Sequence, residues 1–350
     1  MLQPHRVIAA NVLDAWFPPL MAVRDALAHT YVWNLNTSPP TYSEGLVATI
    51  KAYRGLEGIG VLPGPGSSAL IYLVMQRMAG VGTRVLIPEP CYVEYAHVSG
   101  ALLGCKVSHL VTHESDDFRL DLDQWVDTVL RECVDLAVLV NPNNPTGICL
   151  STDCIEHALE QMPATTRVII DEAYIDFAGG SSSDRLIARF PNLLVLKSLS
   201  KCFALSGARV AYLAGDEDLI AELRGYSPPW WVSLPAQIAA MAAFTDLSYY
   251  QEMYCQTATL RQQLVARLGN FAFTCFGTGN WVLARVPTGT SASDWVQSLR
   301  ARSIYIRNAG SSAPTLGDEY VRIAVRGQVE QDSILSAVES MAHPIRTIPV

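Results

Sequence analysis

Lys201 is the first residue to invite a chemical reading. It sits in Ser198-Leu-Ser-Lys-Cys-Phe-Ala-Leu-Ser-Gly-Ala-Arg209, after the apolar run Leu193-Leu-Val-Leu196 and before Val210-Ala-Tyr-Leu213. A lysine among small residues beyond a buried strand is partly desolvated, which frees its amine to attack a carbonyl. Ser-x-x-Lys could equally be an acylating serine with its base, but the companion tripeptides Ser-Asp-Asn and Lys-Thr-Gly occur nowhere in the chain. Arg209, eight positions after the lysine, can return to the same place and pair with a phosphate.

Three further stretches put polar groups at the ends of apolar runs. Gly64-Pro-Gly-Ser-Ser-Ala69 opens a helical period, and free N–H groups at a helix start with two hydroxyls, Ser67 and Ser68, suit a phosphate. The same stretch fits Gly-x-Gly-x-x-Ala, with Glu89 about twenty residues on, so a dinucleotide site is the rival reading. Asn141-Pro-Asn-Asn-Pro-Thr-Gly147 follows an apolar run ending at Val140. Such residues favour turns in any case, yet two prolines stiffen a loop able to hold the Asn144 amide over a ligand. Asp171-Glu-Ala-Tyr174 closes the run Val168-Ile-Ile170. A carboxylate there is costly unless a cation meets it, and a protonated ring nitrogen would serve.

Composition narrows the setting of this chemistry. Half of the 350 residues are hydrophobic and 17% are charged, which suits a large buried core. Thirty-three acidic against twenty-five basic side chains give a formal charge of −8, which argues against a nucleic-acid partner. The eight cysteines form no Cys-x-x-Cys pair and no cluster with His at metal spacing, so reduced thiols and no metal site are expected. No window approaches about 18 uninterrupted apolar residues and the first residues lack a signal core, so no membrane contact and a cytoplasmic location are expected.

The elements that must position these groups alternate. Short β-branched runs at 84–88, 106–110, 135–140, 167–171, 193–197 and 210–213 read as strands, with helical periods at 67–78, 121–132, 152–161 and 182–190 between several of them. Strands this apolar are buried on both faces, which predicts an α/β architecture with a mostly parallel sheet and a ligand beyond the strands' carboxyl ends. From 234 to about 268 the pattern is one long helix. Strands at 271–275, 281–286, 304–307 and 320–325, with helices from 292 to about 302 and from 329, then predict a smaller α+β unit.

Taken in order, Gly-x-Gly-Ser-Ser, Asn-Pro-Asn-Asn-Pro-Thr-Gly, Asp-Glu-Ala-Tyr, Ser-x-Ser-Lys with its distant Arg, and the late Tyr320-Val-Arg-Ile323 resemble the fold-type-I pyridoxal-phosphate enzymes. Within that class I/II aminotransferase family the set is most similar to histidinol-phosphate aminotransferase and to threonine-phosphate decarboxylase. The resemblance implies a three-layer large domain with a seven-stranded sheet over residues 31–245, a small C-terminal domain over 246–350, and an N-terminal segment, 1–30, packed on the small domain and the site. It implies pyridoxal 5'-phosphate as cofactor, with Lys201 forming the Schiff base, Asp171 pairing with the pyridine nitrogen, and Asn144 and Tyr174 bonding the ring hydroxyl. Tyr92 would stack on the ring, while Ser67, Ser68, Ser198 or Ser200, and Arg209 would hold the phosphate. Tyr42 would reach the phosphate of a neighbouring subunit, so a homodimer with shared active sites is expected. Arg322 would clamp a substrate carboxylate, and Arg307 would lie near an anionic side chain.

Three departures from the family pattern concern the substrate. The sequence after the carboxylate arginine is Arg322-Ile-Ala-Val-Arg326-Gly where the group usually has Arg-Ile-x-Val-Gly-Thr. Ala69 replaces an acid that often follows the phosphate loop. Asn11-Val-Leu-Asp14-Ala-Trp-Phe-Pro-Pro19 replaces an Asn-Glu-Asn-Pro entry in the segment that closes over the substrate, which makes Asp14 a candidate substrate ligand. The expected activity is an aminotransferase for an L-amino acid or amino-acid phosphate. Decarboxylation, and elimination or cyclisation on an amino-acid side chain, use the same groups and stay open; an NAD(P)-dependent oxidoreductase and a catalytically silent binding protein are the readings from other classes.

Overall fold

The computed structural model of the chain describes residues 7–342. Residues 1–6 and 343–350, parts of the expected terminal units, lie outside the described residues. The first half runs β1 (Ile8–Ala9), α1 (Met21–His29), α2 (Tyr31–Asn36), α3 (Glu44–Arg54), β2 (Gly60–Gly64), α4 (Ser67–Met78), β3 (Arg84–Glu89), α5 (Val93–Ala96), β4 (Lys106–Val111) and α6 (Leu122–Glu132). There follow β5 (Leu136–Val140), α7 (Thr152–Glu160), β6 (Arg167–Asp171), α8 (Ile175–Ala178), β7 (Leu193–Lys197), α9 (Leu199–Cys202), β8 (Ala211–Gly215) and α10 (Glu217–Arg224). The last third holds α11 (Leu234–Ala243), α12 (Leu247–Gly269), β9 (Thr274–Phe276), β10 (Trp281–Arg285), α13 (Ala292–Arg300), β11 (Ile304–Tyr305), β12 (Arg307–Asn308), β13 (Tyr320–Ala324) and α14 (Gln328–Ala342).

Seven strands form one sheet in the order β2-β8-β7-β6-β5-β3-β4. Its apolar runs are buried on both faces because alternate residues enter different cores: Leu86, Leu139, Ile170 and Val195 join one cluster, and Ile87, Val138, Ile169 and Leu194 the other. Each such side chain contributes roughly 1.5–3 kcal/mol on burial. β2, which the sequence reading missed, carries Pro63, and its place at the sheet edge is where a residue without an N–H is tolerated.

β8 alone runs against the others, pairing antiparallel with both β7 and β2. This reversal decides the site. Residues that precede β8, Arg209 among them, lie at the same sheet edge as residues that follow β2, β5, β6 and β7, so Gly66, Asn144, Asp171 and Lys201 converge with an arginine from the opposite chain direction.

Two expected helices change. The run 234–268 splits into α11 and α12 because Asp246 caps a new start, its carboxylate accepting from Ser248 N and Tyr249 N. The stretch 182–190 forms one 3-10 turn, Ser183–Leu186, because Ser182 and Ser183 are bonded to Glu172 at one end and Pro191 follows at the other. The expected strand 304–307 divides as well. Ile304–Tyr305 pairs in parallel with β1, whereas Arg307–Asn308 pairs with β13 in the antiparallel sheet β12-β13-β10-β9. Trp281, Val282, Val321, Ile323 and Leu335 fill the core beneath that sheet. Among the described residues no helix is long and apolar enough to cross a membrane.

Candidate active site

A cavity of about 350 Å³ opens at the carboxyl ends of β5, β6 and β7, beneath β12 and β13. Lys201, Asp171, Tyr174, Asn144, Tyr92, Ser67, Ser68, Ser198, Arg209, Arg307 and Arg322 all line it. Three residues singled out in the sequence do not. Ser200 is buried with its hydroxyl closed onto the backbone of Val210, donating to its carbonyl at 3.0 Å and accepting from its N–H at 2.9 Å, so its one proton is not free for a phosphate. Tyr42 is exposed, and its loop bonds through Thr41 O to Trp230 N. Asp14 is not among the lining residues, yet its carboxylate stands 2.9 Å from Lys201 Nζ.

Asp171 ends β6 as a buried carboxylate. Oδ2 accepts from the Tyr95 hydroxyl at 3.0 Å and Oδ1 from Ala173 N at 3.0 Å. Burial pushes the carboxyl up to about 6 against the lowering effect of these two bonds. Among the described residues no cationic side chain pairs with it, which leaves a desolvated acid short of one positive partner inside the cavity. Lys201 supplies a cation elsewhere: its side chain is 21% exposed and its ammonium is held by Asp14. Burial raises the Asp14 carboxyl, but Ser206, Lys201 and Arg326 together bring it below its ordinary value.

An anion cradle forms at the start of α4. The helix is capped by Gly66 without any side-chain cap, so its first N–H groups face the cavity beside the Ser67 and Ser68 hydroxyls. Gly66 has φ of 92°, and a Cβ there would stand 2.4 Å from Arg209 Nη2. Arg209 has φ of 57°, in the left-handed region that costs a residue with a Cβ about 1–2 kcal/mol. Glycine in one loop thus makes room for a guanidinium aimed by strain in the other. Tyr92 lies alongside, and burial together with the nearby Glu94 charge holds its phenol well above its usual range.

The opposite wall is arginine. Arg322 on β13 donates from Nη1 to Asn144 Oδ1 at 2.8 Å and from Nη2 to Asn11 O at 2.9 Å. Burial brings it down to about 10, still charged at neutral pH, and its Nε has no partner. Arg307 lies directly across the ladder from Arg322, and among the described residues no carboxylate pairs with it. Tyr174 packs edge-on against Trp281 at 4.9 Å, and Trp281 Nε1 donates to Pro145 O at 2.8 Å, so the rigid loop 141–147 is fixed to the smaller sheet. This set can hold a phosphate at one end, a carboxylate at the other, and a reactive amine between them.

Sequence reasoning missed the support. Tyr95 and Glu94 follow Tyr92 on the same short helix, and the helical spacing of Tyr92 and Tyr95 was the available signal. Lys197 and Glu172 form an ion pair of 2.6 Å with both side chains at most 2% exposed. Burial opposes the Lys197 charge, yet Glu172 and Asp176 hold the ammonium well above its usual range. Asp176 in turn binds Arg54 at 3.2 Å. A charged residue closing an apolar strand, as Lys197 does, was the clue.

The dinucleotide reading fails on topology. Gly64-x-Gly66 follows the edge strand β2, and Glu89 ends β3, with β8, β7, β6 and β5 lying between them. The acid of a dinucleotide site must end the strand next to the glycine loop.

Residues 19–341 match the family described as aminotransferase class I and II. Histidinol-phosphate aminotransferase of Chlorobaculum tepidum is 30% identical over 297 residues, which span 84% of this chain and 82% of that protein. Among solved structures, the histidinol-phosphate aminotransferase from Clostridium acetobutylicum superposes with a TM-score of 0.87 at 24% identity, covering 96% of this chain and 99% of that one. That from Sinorhizobium meliloti, in complex with pyridoxal-5'-phosphate, gives 0.84 at 22% identity, covering 96% and 92%.

Proposed function

From the premise that the chain belongs to the class I and II aminotransferase family, we propose that it moves the amino group of an L-amino acid or amino-acid phosphate. It is a pyridoxal-phosphate-dependent enzyme. The residues fit that cofactor on one observation above all: the buried Asp171 carboxylate lacks a cationic partner, and a protonated pyridine nitrogen is such a partner. When bound, the cofactor supplies an aldehyde that accepts an amine and a protonated ring that withdraws electrons from the carbon bearing it.

The chain's own residues divide the remaining work. Lys201 would provide the amine that fastens the aldehyde, and its Nζ would carry the proton on and off the substrate's Cα. Asn144 and Tyr174 would bond the ring hydroxyl, and Tyr92 would pack against the ring. Ser67, Ser68, Ser198 and Arg209 would hold the phosphate, a share in which Ser200 has no part because its proton is spent on Val210 O. Arg322 receives the substrate carboxylate through N–H groups left over after Asn144 and Asn11 have fixed its plane. Asp14, which holds the lysine ammonium, offers the same carboxylate to the substrate's ammonium.

The unpaired Arg307 beside Arg322 carries the substrate reading, because two adjacent guanidiniums with one carboxylate to bind leave room for a second anion. Residues 31–245 form the cofactor-binding unit, and the described residues from 246 on form the smaller one. A second copy of the chain covers the apolar surface of Tyr31, Val32, Trp33 and Leu35 near Tyr42 and Trp230, each at least half exposed, and Tyr42 reaches the partner's phosphate cradle. Sedimentation tests this: a fully active monomer would refute it.

The activity is tested by borohydride reduction with peptide mass spectrometry, followed by single turnovers with a panel of amino acids and their phosphate esters. A pyridoxyl group on Lys201, with pyridoxamine phosphate and a keto product favoured by anionic donors, is expected. Release of CO2 without pyridoxamine phosphate would replace transamination by decarboxylation, and an unmodified Lys201 would overturn the assignment of the lysine.

A further inference from the structure

Two of the departures from the family pattern meet in space. Arg326, where the pattern has glycine, is buried and donates to three carbonyls of the N-terminal segment: from Nη1 to Asp14 O at 3.1 Å, and from Nη2 to Val12 O at 2.9 Å and to Ala9 O. The gaps between them are closed from the same side. Ala10 O accepts from Ala324 N, Asn11 O from Arg322 Nη2, and Leu13 O from Asn280 Nδ2.

Six successive carbonyls, from residue 9 to residue 14, therefore all find donors on β13, on Arg326 just after it, or on Asn280 just before β10. Residues 10–14 belong to no helix or strand, so without these donors the backbone would be left unsatisfied against the protein. The segment is fastened at both ends by other means: Ile8 and Ala9 pair with β11, while Trp16 donates to Thr257 Oγ1 at 2.8 Å and Phe17 is buried in the main core. Between those anchors Arg326 holds half of the carbonyls. Asn11, Val12 and Leu13 line the cavity, and Asp14 reaches Lys201.

We infer that Arg326 is a positioning residue: it clasps residues 9–14 across the cavity so that Asn11 O orients the Arg322 guanidinium and Asp14 stands at the Lys201 amine before any substrate arrives. Substrate affinity then depends on a residue that touches no substrate. This rests on the reading of Arg322 as the carboxylate arginine, whereas the clasp itself does not.

The experiment separates the two. Hydrogen exchange of residues 8–18 is followed in the cofactor-loaded protein for the parent, Arg326→Gln and Arg326→Lys, with α4 and β5 as internal references, and KM and kcat are measured alongside Arg322→Lys. R326Q is expected to speed exchange in the segment by about ten-fold or more while α4 and β5 stay as in the parent, to raise KM by about ten-fold with a smaller change in kcat, and to recover with added guanidinium ion. R326K, which keeps the charge but not the planar fork, is expected to fall between and remains informative if R326Q fails to fold. Parent-like exchange in a folded R326Q or R326K overturns the clasp. Faster exchange with unchanged KM overturns the positioning of Arg322, and if R322K also leaves KM unchanged, it is the carboxylate assignment that has failed.

Discussion

Lys197 and Glu172 meet as a buried ion pair at 2.6 Å, one residue before Ser198 and one residue after Asp171. The pair ties the end of β7 to the end of β6, and so fixes the spacing between the loop that carries Lys201 and the loop that carries Asp171. Glu172 also accepts from Ser182 Oγ at 2.6 Å and from Ser183 N at 2.7 Å, so both carboxylate oxygens are engaged. Removing only one charge leaves the other buried and uncompensated. Lys197→Met is expected to cost about 3–5 kcal/mol, and the double variant Lys197→Met with Glu172→Gln to regain most of it. Denaturant unfolding of the parent, both singles and the double measures this; a double variant as unstable as K197M would show that packing, not charge, is what the pair provides.

The Asp171 carboxyl gives the cofactor-free protein a characteristic pH dependence. Its value of about 6 lies above the ordinary 3.8, so the folded state binds more protons than the unfolded one between those values. Stability from this group is therefore fully present below about pH 4 and is lost as pH rises through 6, on the order of 3 kcal/mol. Thermal unfolding of the cofactor-free parent and of Asp171→Asn from pH 4 to 7 isolates the contribution as the difference in slope. Cofactor loading should abolish that difference in the parent, because a cation then meets the carboxylate.

Arg322 is held flat by Asn144 and Asn11, which suits a two-pronged contact that an ammonium cannot reproduce. Arg322→Lys is expected to raise KM for an amino-acid donor by about ten- to a hundred-fold. Steady-state kinetics with the donor and with the corresponding amine lacking the carboxylate provide the check. An equal loss for both would mean that the arginine shapes the cavity without binding the carboxylate.

Gly66→Ala tests the phosphate cradle. The added Cβ would stand 2.4 Å from Arg209 Nη2 on a backbone with φ of 92°, so the guanidinium must withdraw or the loop must shift. Strain of about 1–3 kcal/mol is expected to appear as weaker binding of pyridoxal phosphate, with pyridoxal itself little affected. Calorimetric titration of the cofactor-free variant with both compounds distinguishes them. If both weaken equally, the cradle is not where the phosphate binds.

What could be read from the sequence was what is local. Ser198–Arg209, the loop 141–147 and Asp171–Tyr174 each place chemistry and its supporting strand within a few residues, so the groups at the cavity were identifiable one by one. The pairings that hold them came from distant segments: Asp14 with Lys201, Arg326 with residues 9–14, and Tyr95 with Asp171. No periodicity announces such partners. β2 escaped notice because Gly60, Pro63 and Gly64 obscure its strand character, and the reversal of β8 escaped because an apolar run looks the same in either direction. Ser198 and Ser200 shared one expectation at the same spacing, and only the structure separates them: Ser198 lines the cavity while the Ser200 hydroxyl is bonded to the backbone of Val210, ten residues on.

Gly147 and Gly277 bring the two sheets' loops into backbone contact. A Cβ on Gly147 would stand 2.8 Å from the Gly277 Cα, and one on Gly277 would stand 2.6 Å from Thr146 O. Thr278 N seals the junction on Gly147 O at 2.8 Å. The consequence is kinematic. Main chains abutting this closely cannot glide past one another without parting, so the junction blocks sliding of the smaller sheet over the loop 141–147. Arg322, bonded to Asn144 three residues from Gly147, and Arg307, across the ladder from it, therefore keep their register with the loop that this junction locks.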